Sequence, residues 1–152
     1  MGREWALILK EDGFPGVTFA KRPDVRYGVR PTPYYQIDGS LELLEKIQAG
    51  LAEFNIKSTI NKTKYFNSLE IFGIKNCIML SEVLGVRDEW VDSLHNDFSK
   101  KKHLDPEGIK EIHRKFGKKS QLTYDMVCKI VDAAKGDKLR EKLEDILYPP
   151  TV

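Results

Sequence analysis

Asp12 has the clearest claim to chemistry. It closes the stretch Trp5-Ala6-Leu7-Ile8-Leu9-Lys10-Glu11-Asp12-Gly13, in which an apolar run ends in charge and then glycine. Such a run reads as a short helix stopped at Gly13, a residue free to adopt the left-handed backbone a helix end often needs. A carboxylate at that end lies in the negative pole of the helix dipole, where a cation is favoured. The Glu11 carbonyl beside it lacks a partner within the helix, so the pair suits a hard ion such as Mg²⁺. The Glu11 side chain is a second candidate ligand. Two symmetry-related copies would bring two such carboxylates and their ions together, an arrangement suited to phosphodiester hydrolysis. The Asp-Gly pair is also a common chain reversal with no chemistry attached, and both readings stand at this point.

A second set of residues could bind rather than react. From Arg26 to Ile37 the chain alternates, with Tyr27, Val29, Tyr35 and Ile37 on one parity and Arg26, Arg30, Thr32, Tyr34 and Gln36 on the other. Pro31 and Pro33 fall on the apolar parity and remove ladder donors, so the strand is expected to be bent or at an edge. Lys21 and Arg22 adjoin it after a shorter strand, Val17 to Ala20. A second hairpin is expected from Ile56–Ile60 and Tyr65–Phe72, joined by the turn Asn61-Lys62-Thr63-Lys64. It offers Lys57, Thr59, Asn61, Lys62, Lys64 and Ser68, with no acid between Glu53 and Glu70. A two-stranded ribbon fits the major groove of DNA, where arginine bonds guanine O6 and N7, while other contacts reach only phosphate. Double-stranded DNA is the expected partner; a plainly solvated sheet face is the alternative.

These residues need elements to position them. Ser40 reads as an N-cap, and Leu44, Ile47, Leu51 and Phe54 then recur at helical spacing. Phe14-Pro15-Gly16 reads as a turn, and Gly73 to Asn76 leads into a helix from Cys77 to Leu84, ended by Gly85. Beyond Val86 the pattern is helical throughout: Asp88 to Lys101, Asp105 to Phe116 with Pro106 at its first position, Thr123 to Ala134, and Asp137 to Leu147. Pro149 and Pro150 are expected to finish the ordered chain. Lys100 to Lys102 and the group Arg114, Lys115, Lys118 and Lys119 are short basic runs, open to a solvated or a binding role.

Composition narrows the classes. In 152 residues, 41% are apolar and 32% charged, the balance of a globular protein with ample core. No apolar run approaches the ~20 residues of a membrane span, and the start lacks a signal-peptide pattern. An intracellular setting is expected, since Cys77 and Cys128 are too few for a disulfide framework or zinc site and read as packing residues. His95, His103 and His113 lack metal-ligand spacing and are expected on the surface. A net charge of +2 gives no general attraction to nucleic acid, so a basic surface must come from local arrangement. No Walker loop, GxGxxG or GxSxG is present, which leaves nucleotide-dependent and serine-hydrolase chemistry without support.

The order helix, two strands, helix, two strands, helix, opened by Trp5–Gly13, resembles the LAGLIDADG homing endonuclease family. Trp5 to Gly13 matches the nine-residue motif at its apolar positions and closing Asp-Gly. Tyr27-Gly28-Val29-Arg30 with Tyr35-Gln36-Ile37 is similar to the second strand, and Leu69-Glu70-Ile71-Phe72-Gly73-Ile74-Lys75 to the fourth strand and its junction. The resemblance implies an α+β fold, αββαββα with an antiparallel sheet, in residues 1–86, and a helical C-terminal extension in 87–152. It implies a Mg²⁺-dependent, site-specific endonuclease that works as a homodimer on double-stranded DNA, of a kind often encoded in introns. Asp12 would hold the metal, and Lys75 would stand near the scissile phosphate. The position that organises water falls at Gly39, so Gln36 or Asp38 would substitute. Leu7 and Glu11 stand where the motif has small residues that let two helices approach. With Gly39 they favour the alternative, a catalytically inactive DNA- or RNA-binding protein on the same fold, such as a regulator or intron-splicing helper.

Overall fold

A computed structural model describes residues 3–149, so Pro150 lies outside the described residues. The expected order is present: α1 (Glu4–Asp12), β1 (Phe14–Lys21), β2 (Val29–Gly39), α2 (Leu41–Glu53), β3 (Thr59–Lys62), β4 (Asn67–Phe72) and α3 (Ile74–Leu84). The four strands form one antiparallel sheet in the order β1-β2-β4-β3. Helices follow: α4 (Glu89–Ser93), continued by a π-helical turn over Leu94–Phe98, then α5 (Pro106–Phe116), α6 (Tyr124–Lys135) and α7 (Leu139–Leu147). The single helix expected from Asp88 to Lys101 therefore stops early, and Lys101 takes a left-handed conformation with φ 61°.

The residues divide into two compact units, one of Met1–Gly16 with Pro33–His95 and one of Val17–Thr32 with Asn96–Val152. In the first, α1 packs against both α2 and α3. Leu44, Ile47 and Leu51 from α2 are wholly buried, and each such side chain contributes about 1.5–3 kcal/mol through burial. Gly50 lies within that helix for a steric reason: a Cβ there would lie 2.3 Å from the Trp5 ring. Ser40 caps α2 as expected, its Oγ accepting the Leu43 N–H at 3.2 Å. In the second unit, Val17, Phe19 and Val29 from the first hairpin are buried, as are Ile109, Ile112, Val127, Ile130 and Val131 from α5 and α6.

Several local expectations are corrected. Phe14-Pro15-Gly16 is the start of β1, not a turn. Gly13 is extended, with φ −79° and ψ 166°. Its glycine is needed for close approach, since a Cβ would sit 2.4 Å from both the Leu9 carbonyl oxygen and the Tyr35 ring. β2 is an inner strand, yet it pairs with β4 only from Tyr34 onward, so Pro31 and Pro33 precede that ladder and cost it no donor. β3 begins at Thr59, three residues later than expected, and the turn falls at residues 63–66. α3 begins at Ile74 rather than Cys77.

The histidines divide. His95 is exposed as expected, but His103 and His113 are each only 5% exposed. The His113 ring stands edge-on to Phe19 at 4.6 Å, and its Nε2 lies 2.6 Å from the Leu122 carbonyl oxygen. His103 lies against Phe98 at 5.1 Å. An imidazole presents an apolar body as well as polar atoms, and on α5 the 3.6-residue repeat of Ile109, Ile112 and His113 put it inward. Cys77 is buried, which pushes its thiol up to about 12, while Cys128 is half-buried.

Candidate nucleic-acid interface

Asp12 is the last residue of α1 and is exposed. What holds the helix end is Tyr35, on the inward parity of β2. Its hydroxyl donates to the Leu9 carbonyl at 3.0 Å and to the Lys10 carbonyl at 3.3 Å. Burial, with the charge of Asp88, pushes the Tyr35 phenol up to about 12, so it remains a donor at any working pH. Gly13 N–H also donates to Leu9 O, at 2.9 Å. The next carbonyl in line, that of Glu11, would take its helical bond from residue 15, which is Pro15 and has no N–H.

Asp12 therefore carries a solvent-facing carboxylate next to a carbonyl denied its helical donor. Mg²⁺ is commonly held by one or two carboxylates completed by substrate phosphate oxygens and water, and this donor set fits that description. Among the described residues no group of three or more His, Cys, Asp or Glu is placed to hold a metal, so the remaining ligands would come from DNA, water or a second copy. Glu11 is exposed on the same side of α1 as Leu7, which is 57% exposed, while Trp5, Ala6 and Leu9 face inward.

The first unit also carries the polar face of the sheet around β4. The ladder sets Glu70 between Gln36 and Thr59, and Ser68 between Asp38 and Asn61. Gln36 Nε2 donates to Asp38 Oδ1 at 3.0 Å, so the two expected water-organising residues are joined. Tyr34 is half-buried against Phe72, ring centroids 5.8 Å apart. Thr59 is exposed. Ser68, at 3% exposure, is covered and stands apart from the solvent-facing candidates.

Glu70 was missed by sequence reasoning. It brings an acid to the middle of this face and accepts from Asn61 Nδ2 at 2.7 Å. The alternation of Leu69 and Ile71 around it was the available signal.

Lys75 lies in the first turn of α3 and is exposed. A cation there opposes the helix dipole, and no acid shares that turn. Its neighbour Asn76 accepts the Lys57 N–H at 3.4 Å and donates to the Phe72 carbonyl at 3.1 Å. Lys57, which precedes β3 instead of lying on it, is thus tied to the corner where Lys75 stands. Lys62 ends β3, and Lys64 lies on the turn, its Nζ 5.6 Å from the Tyr65 ring; both are exposed.

In the second unit, Lys21 and Arg30 are exposed on β1 and β2, and Thr32 is half-buried. Arg26 is in the turn between those strands, not on the strand as expected, with its guanidinium 5.2 Å from the Tyr27 ring. Arg22 is engaged by Asp24 through two bonds, Nε to Oδ1 at 2.9 Å and Nη2 to Oδ2 at 2.7 Å. That fork raises the Arg22 pKa and lowers that of Asp24. The basic runs of the C-terminal helices are partly committed: Lys115 pairs with Asp97 at 3.2 Å, and Arg114 bonds Glu111 and Tyr124.

Solved structures decide what this arrangement of elements is. The archaeal intron-encoded homing endonuclease I-Vdi141I, complexed with DNA, superposes with a TM-score of 0.68 at 17% identity, over 88% of this chain and 96% of its own. The chain has the LAGLIDADG homing-endonuclease fold. The homing endonuclease I-CvuI, in complex with a DNA target in the presence of Mg, matches over 99% of this chain and 96% of its own, with a TM-score of 0.59 and 17% identity. Meganuclease I-SmaMI, bound to uncleavable DNA, matches 75% of this chain but 43% of its own, with a TM-score of 0.60 and 17% identity, so the chain spans less than half of it. No protein-family model and no curated protein matches the sequence. No helix among the described residues is long and apolar enough to cross a membrane.

Proposed function

We propose that this protein is a site-specific, metal-dependent DNA endonuclease that acts inside the cell as a homodimer, one α1 per chain. The supporting observation is local to α1: an exposed carboxylate at its C-terminal end, beside a carbonyl with no helical donor, held by a buried tyrosine. Fold alone does not specify function, because one fold hosts many activities; the site has to carry the reading.

Asp12 would hold Mg²⁺, with Glu11 contributing its carbonyl and its side chain a secondary candidate. When bound, the ion supplies Lewis-acid stabilisation of charge on a scissile phosphate. Tyr35 fixes the direction in which Asp12 is presented. Gln36 and Asp38 together offer an amide and a carboxylate that can orient a water molecule. Lys75 meets a phosphate from the first turn of α3, where an anion relieves the conflict between its charge and the helix dipole.

DNA would lie on the polar side of the sheet. Arg26, Arg30, Thr32, Tyr34, Gln36, Thr59 and Asn61 are the candidates for base edges, and Lys21, Lys57, Lys62 and Lys64 for phosphate. Arg22 reads bases only where Asp24 yields it, and Ser68 contributes through packing. In this reading residues 1–86 bind and cut, and 87–152 support them.

Selection of duplexes from a semi-random palindromic library in Ca²⁺ and low salt, followed by a switch to Mg²⁺, tests the reading. Enrichment followed by cutting is the expected result, with Asp12→Asn binding the same pool and cutting none of it. Enrichment without cutting by the wild type would assign the protein to the non-catalytic alternative. No enrichment would remove the nucleic-acid reading in its dimeric form.

A further inference from the structure

We infer that the β3–β4 turn is a stacking element, with Tyr65 and Phe66 resting on the bases of bound DNA. The inference rests on the reading of this sheet as a duplex-binding surface. Tyr65 is 86% exposed and Phe66 52% exposed, adjacent residues at the tip of a hairpin. The turn beneath them is bonded: the Thr63 N–H donates to the Phe66 carbonyl at 3.0 Å, and the Phe66 N–H donates to Thr63 Oγ1 at 3.0 Å. Directly below, Lys62 pairs in register with Asn67. Two rings are therefore presented with little left to order on binding.

Their surroundings select the partner. Lys62 and Lys64 flank the rings, Lys64 Nζ stands 5.6 Å from the Tyr65 ring, and the sequence holds no acid between Glu53 and Glu70. Flat apolar faces among cations match a partner that offers π-faces beside phosphates, and nucleic acid offers both. The same hairpin carries Thr59 and Asn61 on its polar face, so the tip continues the proposed DNA surface. Within a duplex a ring gains a base face only where a step opens, and pyrimidine–purine steps open most readily. The tip thus gives a preference for such a step within each half-site, without a hydrogen bond to any base.

The test uses the full chain and a duplex recovered by selection, with 2-aminopurine placed at successive positions. Tyr65→Ala, Phe66→Ala and the double variant are compared with Lys64→Ala, folding being checked by thermal melts. Wild type is expected to change the probe's emission at one position in each half-site, and the double variant to lose that change. Affinity of the double variant should fall about tenfold or more with the salt dependence unchanged. Lys64→Ala should instead lower the slope of log K against log salt by about one. Tight binding by wild type with a double variant of equal affinity and unchanged emission overturns the inference alone. A wild type that binds no duplex overturns the DNA reading beneath it as well. Wild-type binding to phosphatidylserine vesicles that the double variant loses, at unchanged duplex affinity, would assign the tip to a membrane surface and overturn it too.

Discussion

Tyr35 connects the core to the candidate chemistry more directly than any other side chain. Its ring is buried on the inner parity of β2, and its hydroxyl closes two carbonyls at the end of α1. Tyr35→Phe keeps the packing and removes one buried donor, at a cost of about 1 kcal/mol in urea unfolding. If Tyr35 positions Asp12, the same variant should reduce cleavage more than DNA affinity; an equal loss in both would make its role merely structural. Tyr35 was read in the sequence as one more apolar residue of an alternating strand, because alternation reports which face a side chain takes and not what its polar atom meets. His103 was misread for a related reason, since spacing rules for metal ligands are silent on packing. Burial depresses its pKa below the ordinary imidazole value. The folded state then binds fewer protons than the unfolded state below about pH 6.5. Stability from this group is complete above that pH and is lost as pH falls toward the depressed value. Thermal melts between pH 7 and 5 should show a steeper acid loss in wild type than in His103→Gln, and parallel curves would contradict the burial argument.

At the level of elements, the αββαββα order was legible because each segment carries its own period: 3.6 residues in α2, two in β2 and β4. Boundaries were less so. α3 begins a turn early because Ile74 and Lys75 follow Gly73 directly, and nothing in their types marks a start. Gly13 was read as a conformational stop, but the structure uses it as a gap into which the Tyr35 ring fits. That distinction depends on a contact between residues 22 apart in sequence, which no local pattern contains. Gly13→Ala should therefore destabilise by about 1–3 kcal/mol through overpacking, seen as a lowered urea midpoint with an unchanged m-value. A neutral Gly13→Ala would restore the conformational explanation. Among the exposed candidates, Arg30 was readable from charge and parity, Lys57, Lys62 and Lys64 from charge in a stretch without acids, and Lys75 only from the family resemblance. The engagement of Arg22 by Asp24 and of Asn61 by Glu70 was not, because pairing depends on turn shape and strand register.

The described residues hold one α1, and the proposed cutting of both strands calls for a second copy of it. The side of α1 turned away from its own core bears Leu7 and Glu11. A twofold contact there would bury Leu7 against its symmetry mate, and Glu11 would limit how closely the helices approach. Leu7→Glu should shift the protein to monomer in sedimentation velocity, since like charges facing across an interface cost several kcal/mol; an unchanged dimer would place the interface elsewhere. In the proposed function each copy hydrolyses one strand through Asp12. Both strands of a selected duplex, end-labelled separately and mapped after Mg²⁺ is added, test it most directly. One cut per strand at symmetric, staggered positions, absent with Asp12→Asn at undiminished affinity, is the predicted result. Tight binding that leaves both strands intact, or cutting that survives Asp12→Asn, would contradict it.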